Sequence, residues 1–134
     1  MLVERIKQLT HLQMAVMNVL WQQGEATVAQ VCASLQEEHG LAPTTVATML
    51  SRLEKYGILT HRTQGRQYVY RSLVSQNEVR RSRLAELVDQ FFRGNPADLA
   101  YHLISESEVG DGDLERIVDL IESKERQEND DGNE

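Results

Sequence analysis

The stretch from Pro43 to Gly57 constrains this chain most, because it fits a single amphipathic helix with clear ends. Proline is favoured in the first turn of a helix, and glycine is favoured just after the last turn. An apolar stripe recurs between them at helical spacing. Its members are Val46, Met49, Leu50 and Leu53. This stripe predicts a helix from Pro43 that packs one face against a core.

The opposite face of this predicted helix carries short hydroxyl side chains first and cations further along. Its members are Thr44, Thr45, Thr48, Ser51, Arg52 and Lys55. Short polar side chains let a helix approach base edges in a major groove, and arginine or lysine can contact phosphates. An ordinary amphipathic helix with a solvated face would show the same pattern, so the neighbouring segments decide between the two interpretations.

Charge is distributed very unevenly along the chain, whose formal net charge is −7. Residues 41–83 contain eight Lys or Arg and two Asp or Glu, whereas residues 84–134 contain four and fifteen. A concentrated basic segment is the expected footprint of phosphate binding. The acidic segment would repel DNA, so we expect it to point away from a bound duplex.

Two further helices and a hairpin surround the basic helix in the sequence. Capping-box pairs Thr10–Gln13 and Thr27–Gln30 predict a helix from about His11 to Gln23 and a second one ending before His39. After Gly57 the pattern alternates, which predicts strands over residues 58–63 and 66–72 joined by a tight turn at Gln64–Gly65. Three helices followed by a hairpin are typical of a winged helix-turn-helix domain. Arg62 and Arg66 would give its wing contacts to phosphates.

The C-terminal segment predicts helices with apolar stripes but no obvious core partner. Its candidate interface residues are Leu84, Leu87, Phe91, Phe92, Leu99, Leu103, Leu114, Ile117 and Ile121. A segment this short buries a marginal fraction of its surface alone, so a second copy of the chain is the expected partner. The alternative is that these helices fold back onto the winged domain.

The predicted fold class is therefore mainly α with a small β hairpin, a winged helix-turn-helix DNA-binding domain followed by a helical dimerisation domain. We expect the DNA-binding domain to span residues 1–74 and a three-helix dimerisation domain to span residues 75–124. Residues 125–134 are rich in acidic side chains and are expected to be a disordered tail. Residues 1–9 carry no clear pattern before Leu9.

The sequence shows no arrangement typical of an enzyme, a metal site or a cofactor site. The four histidines, His11, His39, His61 and His102, are scattered without ligand spacing. Cys32 is the only cysteine, so no disulfide can form within the chain. No apolar run approaches the length of a membrane span, and the N-terminus lacks a signal-peptide pattern. We expect a cytoplasmic, non-enzymatic protein without a cofactor.

The whole chain resembles the penicillinase-repressor family of winged-helix regulators, of the BlaI/MecI/CopY type. The resemblance covers about residues 9–122 and rests on four segments in order, which read LTHLQMAVMNVLW, TTVATMLSRLEKYGIL, GRQYVY and FFRG. It implies a homodimeric repressor that binds semi-palindromic operators containing TACA and TGTA. Thr45, Thr48 and Arg52 match positions that family members use at DNA. Relatives often carry longer side chains at the positions of Thr44 and Ala47, so the half-site sequence is left open.

Two departures from the family concern release from DNA. Penicillinase repressors are cut at an Asn-Phe bond in the dimer domain, where this chain has His102–Leu103. Copper-responsive members carry a C-terminal cysteine cluster, which this chain lacks. Derepression would therefore need a protease or a ligand that the sequence does not identify. The alternative function is a winged-helix protein-interaction module without direct DNA binding, which the acidic C-terminal segment favours.

Overall fold

The computed structural model describes residues 2–106 and 109–132 and is mainly helical with one small sheet. In chain order the elements are α1 (Leu2–Lys7), α2 (His11–Gln23), β1 (Ala26–Thr27), α3 (Val28–Ser34), α4 (Pro43–Lys55), β2 (Leu59–Gln64), β3 (Gln67–Ser72), α5 (Gln76–Phe92), α6 (Pro96–Glu106) and α7 (Asp111–Gly132). The chain divides into two compact units between Leu87 and Val88. The functional boundary expected after residue 74 stays a prediction.

The first unit is a winged helix in which α2, α3 and α4 pack against a three-stranded antiparallel sheet of order β1-β3-β2. Hairpin strands β2 and β3 pair from Leu59 with Ser72 to Gln64 with Gln67. The large, almost completely enclosed side chains of its core are Met17, Leu20, Leu50, Leu53, Ile58 and Leu59. The predicted fold class is confirmed, with β1 completing the sheet.

Local sequence signals set the helix ends of this unit. The predicted capping boxes form, with Thr10 and Gln13 exchanging bonds of 2.9 and 3.1 Å and Thr27 and Gln30 exchanging bonds of 2.8 and 3.2 Å. Helix α4 begins at Pro43 with no side-chain cap, as Ala42 in the N-cap position predicts. Gly57 follows α4 at φ +83°, a backbone conformation that glycine adopts without steric cost.

The first unit differs from the sequence-based expectations at four points. Residues 2–7 form α1, although no helical period was recognised there. Helix α3 ends at Ser34, and turns fill the interval to Gly40, which lies at φ +56°. The hairpin turn falls at Gly65–Arg66 rather than Gln64–Gly65, because Gln64 pairs with Gln67. Leu12, whose spacing from Val16, Val19 and Leu20 predicts an inward position on α2, is 37% exposed.

The second unit contains the last part of α5, then α6 and α7, and neither α6 nor α7 has a buried residue. The expectation of a disordered tail was wrong for residues 125–132, which continue α7. Glu125, Arg126, Gln127 and Glu128 have high helix propensity and extend the helix, whereas the four residues that follow them are weaker helix formers; none of these residues is buried. Residues 133–134 of that expected tail lie outside the described residues.

Candidate nucleic-acid interface

The predicted recognition face lies on α4 and is open to solvent. Thr44, Thr45, Thr48, Ser51, Arg52 and Lys55 are all exposed. Across the helix, Val46, Leu50 and Leu53 have no exposed surface and hold α4 against the core. The buried stripe therefore fixes how the hydroxyl and cationic side chains are presented to solvent, and little rearrangement would be needed for this face to meet a ligand.

Within this face the Thr48 hydroxyl already has a partner. Its Oγ1 donates to the Thr44 carbonyl oxygen at 2.9 Å, one turn back along α4. The single hydroxyl proton of such a threonine is already used in a hydrogen bond, so the side chain presents its methyl group and its acceptor lone pairs to solvent. Contact with a thymine methyl suits that side chain better than donation to a base acceptor.

The wing tip carries a cation, Arg66, next to Gly65 at φ +64°. Arg66 is exposed, as a phosphate contact requires. Arg62 is also exposed but is paired to Glu25, with Nη2 to Oε1 at 2.7 Å and Nε to Oε2 at 3.2 Å. The hydrogen bond from Arg62 and its charge lower the pKa of the Glu25 carboxyl. Arg62 would have to share or leave this partner to contact a phosphate.

A cluster that the sequence analysis did not identify joins α4 to the wing. The Nδ1 atom of His61 lies 2.6 and 2.8 Å from the two carboxylate oxygens of Glu54, near the end of α4. The imidazole stacks on the Tyr68 ring at 4.0 Å between centroids. Seven residues separate His61 from Glu54 on two different elements, so neither helical nor strand spacing could have indicated the contact.

Another contact missed in the sequence lies at the C-terminal end of α4. The Arg5 guanidinium of α1 sits 4.2 Å from the centre of the Tyr56 ring, a cation–π geometry. Because α1 itself was not predicted, no signal in the sequence placed Arg5 beside Tyr56. This contact adds a cation beside Lys55.

Three arginines near the start of α5 also belong to the basic segment of residues 41–83, and their surroundings differ. Arg83 donates through Nη1 to the carbonyl oxygens of Lys7 and Leu9, so its guanidinium holds the N-terminal segment in place. Arg81 donates to the Asn77 carbonyl oxygen at 3.4 Å. Arg80 is exposed. A structural role is therefore established for Arg83.

The predicted dimer-interface residues are spread over α5, α6 and α7. Leu84 and Leu87 belong to the first unit and are 53% and 39% exposed. In the second unit Phe91 is 73%, Leu103 49% and Ile121 54% exposed. Phe92, Leu99, Leu114 and Ile117 are partly exposed. Leu120, which was not predicted, is 70% exposed. These apolar side chains lack the burial that they would have in a packed core.

Among residues 2–106 and 109–132, no group of three His, Cys, Asp or Glu side chains is placed to hold a metal ion. Cys32 is half-buried, and its thiol donates to the Leu41 carbonyl oxygen at 3.2 Å. Each helix among residues 2–106 and 109–132 is too short or too polar to span a lipid bilayer.

Comparison with known proteins gives matches over most of the chain. The family model described as penicillinase repressor matches residues 9–123. A penicillinase repressor of Bacillus licheniformis is 22% identical over 90% of this chain and 94% of its own length. The methicillin resistance regulatory protein MecI of Mammaliicoccus sciuri is 19% identical over 81% of this chain and 89% of its own length. The solution structure of the DNA-binding domain of the repressor BlaI is 32% identical, covering 55% of this chain and 89% of that domain, with a TM-score of 0.49.

Proposed function

This chain belongs to the penicillinase-repressor family and is a DNA-binding transcriptional repressor, and we propose that it binds a semi-palindromic operator as a homodimer. In this proposal α4 enters the major groove and the β2–β3 wing lies along the adjacent backbone. The bound dimer blocks transcription by occupying the promoter. Operator DNA is its main partner, and its location is the cytoplasm, where that DNA lies.

The exposed α4 face is the observation that carries this proposal. Three threonines and a serine present short side chains, and Arg52 and Lys55 follow on the same face towards the end of the helix. The hydroxyl part can lie against base edges while the cations neutralise phosphates at the groove margin. Arg66 at the wing tip would add a backbone contact outside the groove. A merely solvated face would need no such separation of short and cationic side chains.

Dimerisation is supported by the apolar side chains that α5, α6 and α7 leave open. An isolated helical segment with Phe91, Leu103 and Ile121 about half exposed or more gains free energy by burying them against a second copy. A two-fold dimer presents two copies of α4 to half-sites about one DNA turn apart. This symmetry is why the expected operator is semi-palindromic, of the TACA/TGTA type implied by the family.

Release from the operator needs a further partner, which we propose to be a protease or a ligand. His102–Leu103, at the position of the family's cut site, lies within α6, where His102 Nδ1 is 3.2 Å from Glu106 Oε2. Proteases cleave extended backbone, so cutting there would require local unwinding of α6.

The test is a pair of substitutions on α4, measured against duplexes selected by the wild-type protein from random DNA. We expect Arg52→Ala to weaken binding to all duplexes and to reduce the salt slope by about two units, since the homodimer loses one phosphate contact in each protomer. We expect Thr48→Ala to change sequence preference more than overall affinity, since a base contact is lost. Quantitative gel-shift titrations over a salt series measure both.

Arg126→Ala is the matched control, because Arg126 is an exposed arginine on the acidic α7. It should leave the salt slope unchanged. If Arg52→Ala and Thr48→Ala both kept the affinity and the sequence preference of the wild-type protein, α4 would not be the recognition helix. If the wild-type protein retained no DNA even at low salt, the protein-interaction alternative would be favoured.

A further inference from the structure

The contact between Glu54 and His61 joins the two elements that the proposed function brings to DNA. A carboxylate can only accept hydrogen bonds, so His61 Nδ1 carries the proton and donates to it. Both Glu54 oxygens lie within 2.8 Å of that nitrogen. The side chains are 27% and 30% exposed, which partly shields the contact from water. Short, partly shielded hydrogen bonds to a charged group are among the stronger ones in proteins.

Aromatic side chains of β3 fix the other side of the His61 ring. Tyr68 stacks on it with an interplanar angle of 16°, and Tyr70 lies 5.6 Å away between centroids. Tyr70 is also the direct cross-strand partner of His61. The imidazole is therefore held by the recognition helix on one side and by the second strand of the wing on the other.

The next residue anchors the opposite face of the same strand. Successive side chains of a strand point to opposite faces, so Arg62 points away from His61. Its guanidinium makes the two-bond contact with Glu25, just before β1. The base of the wing is thus held from both faces, whereas the tip at Gly65 and Arg66 is exposed.

We propose that Glu54 and His61 are positioning residues that set the angle of the wing relative to the recognition helix. This inference rests on the proposed function, because it concerns how α4 and Arg66 reach one duplex together. Neither residue needs to touch DNA. Their hydrogen bond restricts the motion of the wing before DNA binds. The contact of Arg66 with a phosphate therefore costs no further conformational entropy of the wing.

The direction in which DNA affinity changes when Glu54 is replaced distinguishes a positioning residue from an ordinary surface acid. Glu54 lies one residue before Lys55, so removing its negative charge should by itself tighten binding to a polyanion. Loss of the hydrogen bond between Glu54 and His61, here called the clasp, should instead weaken binding. If the freed wing is correctly placed about a tenth of the time, apparent affinity falls about tenfold. Affinity therefore rises or falls according to which role Glu54 has.

The experiment measures affinity for a duplex of ~30 base pairs, long enough for two half-sites a turn apart, selected by the wild-type protein from random sequences. We expect Glu54→Ala to bind about tenfold more weakly, whereas Glu54→Gln, which keeps an acceptor oxygen, loses less. His61→Phe keeps the stacked ring but lacks the donor, so it should match Glu54→Ala. The double variant should be no weaker than either single one, because both break the same contact.

A second readout tests whether the wing itself is affected. Arg66→Ala removes one phosphate contact from each protomer of the dimer, so it should reduce the salt slope by about two units in the wild-type background and much less in the Glu54→Ala background. Glu37→Ala, at an exposed acid outside the clasp, measures the effect of charge removal alone. Thermal unfolding of each variant ensures that losses are compared between folded proteins.

The outcomes distinguish the two proposals. A wild-type protein that selects no duplex contradicts the proposed function itself. If the wild type binds, and Glu54→Ala binds as tightly as Glu37→Ala, the positioning role is wrong while the proposed function stands. An unchanged Arg66 contribution in the Glu54→Ala background also overturns the positioning role.

Discussion

Single side chains in the winged unit owe their properties to neighbours far away in the sequence. Arg62 was expected at phosphates from its place in a basic hairpin, and its partner Glu25 lies 37 residues earlier. Glu54 and His61 likewise meet only once α4 and β2 are folded. Residue types and spacing identified the cationic face of α4, because that face lies within one helix. They could not identify contacts that depend on how two elements pack.

The effect of burial on a single side chain can be tested through the pKa of the Tyr70 hydroxyl. Its side chain is 5% exposed, and burial, with the nearby Glu54 and Tyr68, raises the pKa of its hydroxyl above the ordinary value of 10.0. A raised pKa in the folded state means that the stabilising contribution is complete below pH 10.0. That contribution is lost as pH rises through the folded pKa.

We therefore expect one tyrosine to ionise later than the others when tyrosinate absorbance is followed through alkaline pH. The late phase should disappear in Tyr70→Phe and persist in Tyr101→Phe, because Tyr101 is 67% exposed. Tyr70→Phe should also lose less stability than the wild type as pH rises above 10.0. A late phase that survives in Tyr70→Phe would contradict this assignment.

At the scale of elements, the sequence predicted those with a strong period or a cap and missed those with neither. Helix α4 was expected between Pro43 and Gly57 and runs from Pro43 to Lys55. Helix α1 was missed because one turn and a half is too short to show a period. The last turns of α7 were taken as disorder because their composition is acidic, although Glu125 to Glu128 among them have high helix propensity.

Helix α4 should depend on its buried stripe for both stability and placement. Leu50 has no exposed surface, and truncating it leaves a cavity between α4 and the rest of the core. We expect Leu50→Ala to cost about 2–5 kcal/mol of unfolding free energy, measured by denaturant titration. Leu12→Ala is the matched control, since Leu12 is 37% exposed and should cost clearly less. Equal losses would mean that α4 is not held by this stripe.

At the scale of the whole molecule, the proposed dimer accounts for apolar side chains that the described chain leaves uncovered. We expect Ile121→Asp, which places a charge on the α7 stripe, to shift the protein towards monomers in sedimentation measurements. Operator affinity should fall with it, because one half-site cannot replace two. The winged unit should stay folded in this variant.

Leu73→Asp serves as the control for that experiment, because Leu73 is 52% exposed and lies in the winged unit. It should leave the oligomeric state unchanged. A wild-type protein that sediments as a monomer at micromolar concentration would contradict the dimer. The periodicity of the sequence predicted which helix face is apolar. It could not predict what covers that face, because the spacing of residues within one chain carries no information about a partner.

If the chain binds an operator as proposed, its acidic C-terminal segment would also affect how a copy finds that operator. Chromosomal DNA offers a vast excess of wrong sites, and weak attraction to phosphates multiplied by that excess can hold most copies of a regulator. The fifteen acidic residues after position 83, nine of them in α7, would repel the phosphates of such sites. More copies would then stay unbound, and fewer copies would be needed to occupy one operator.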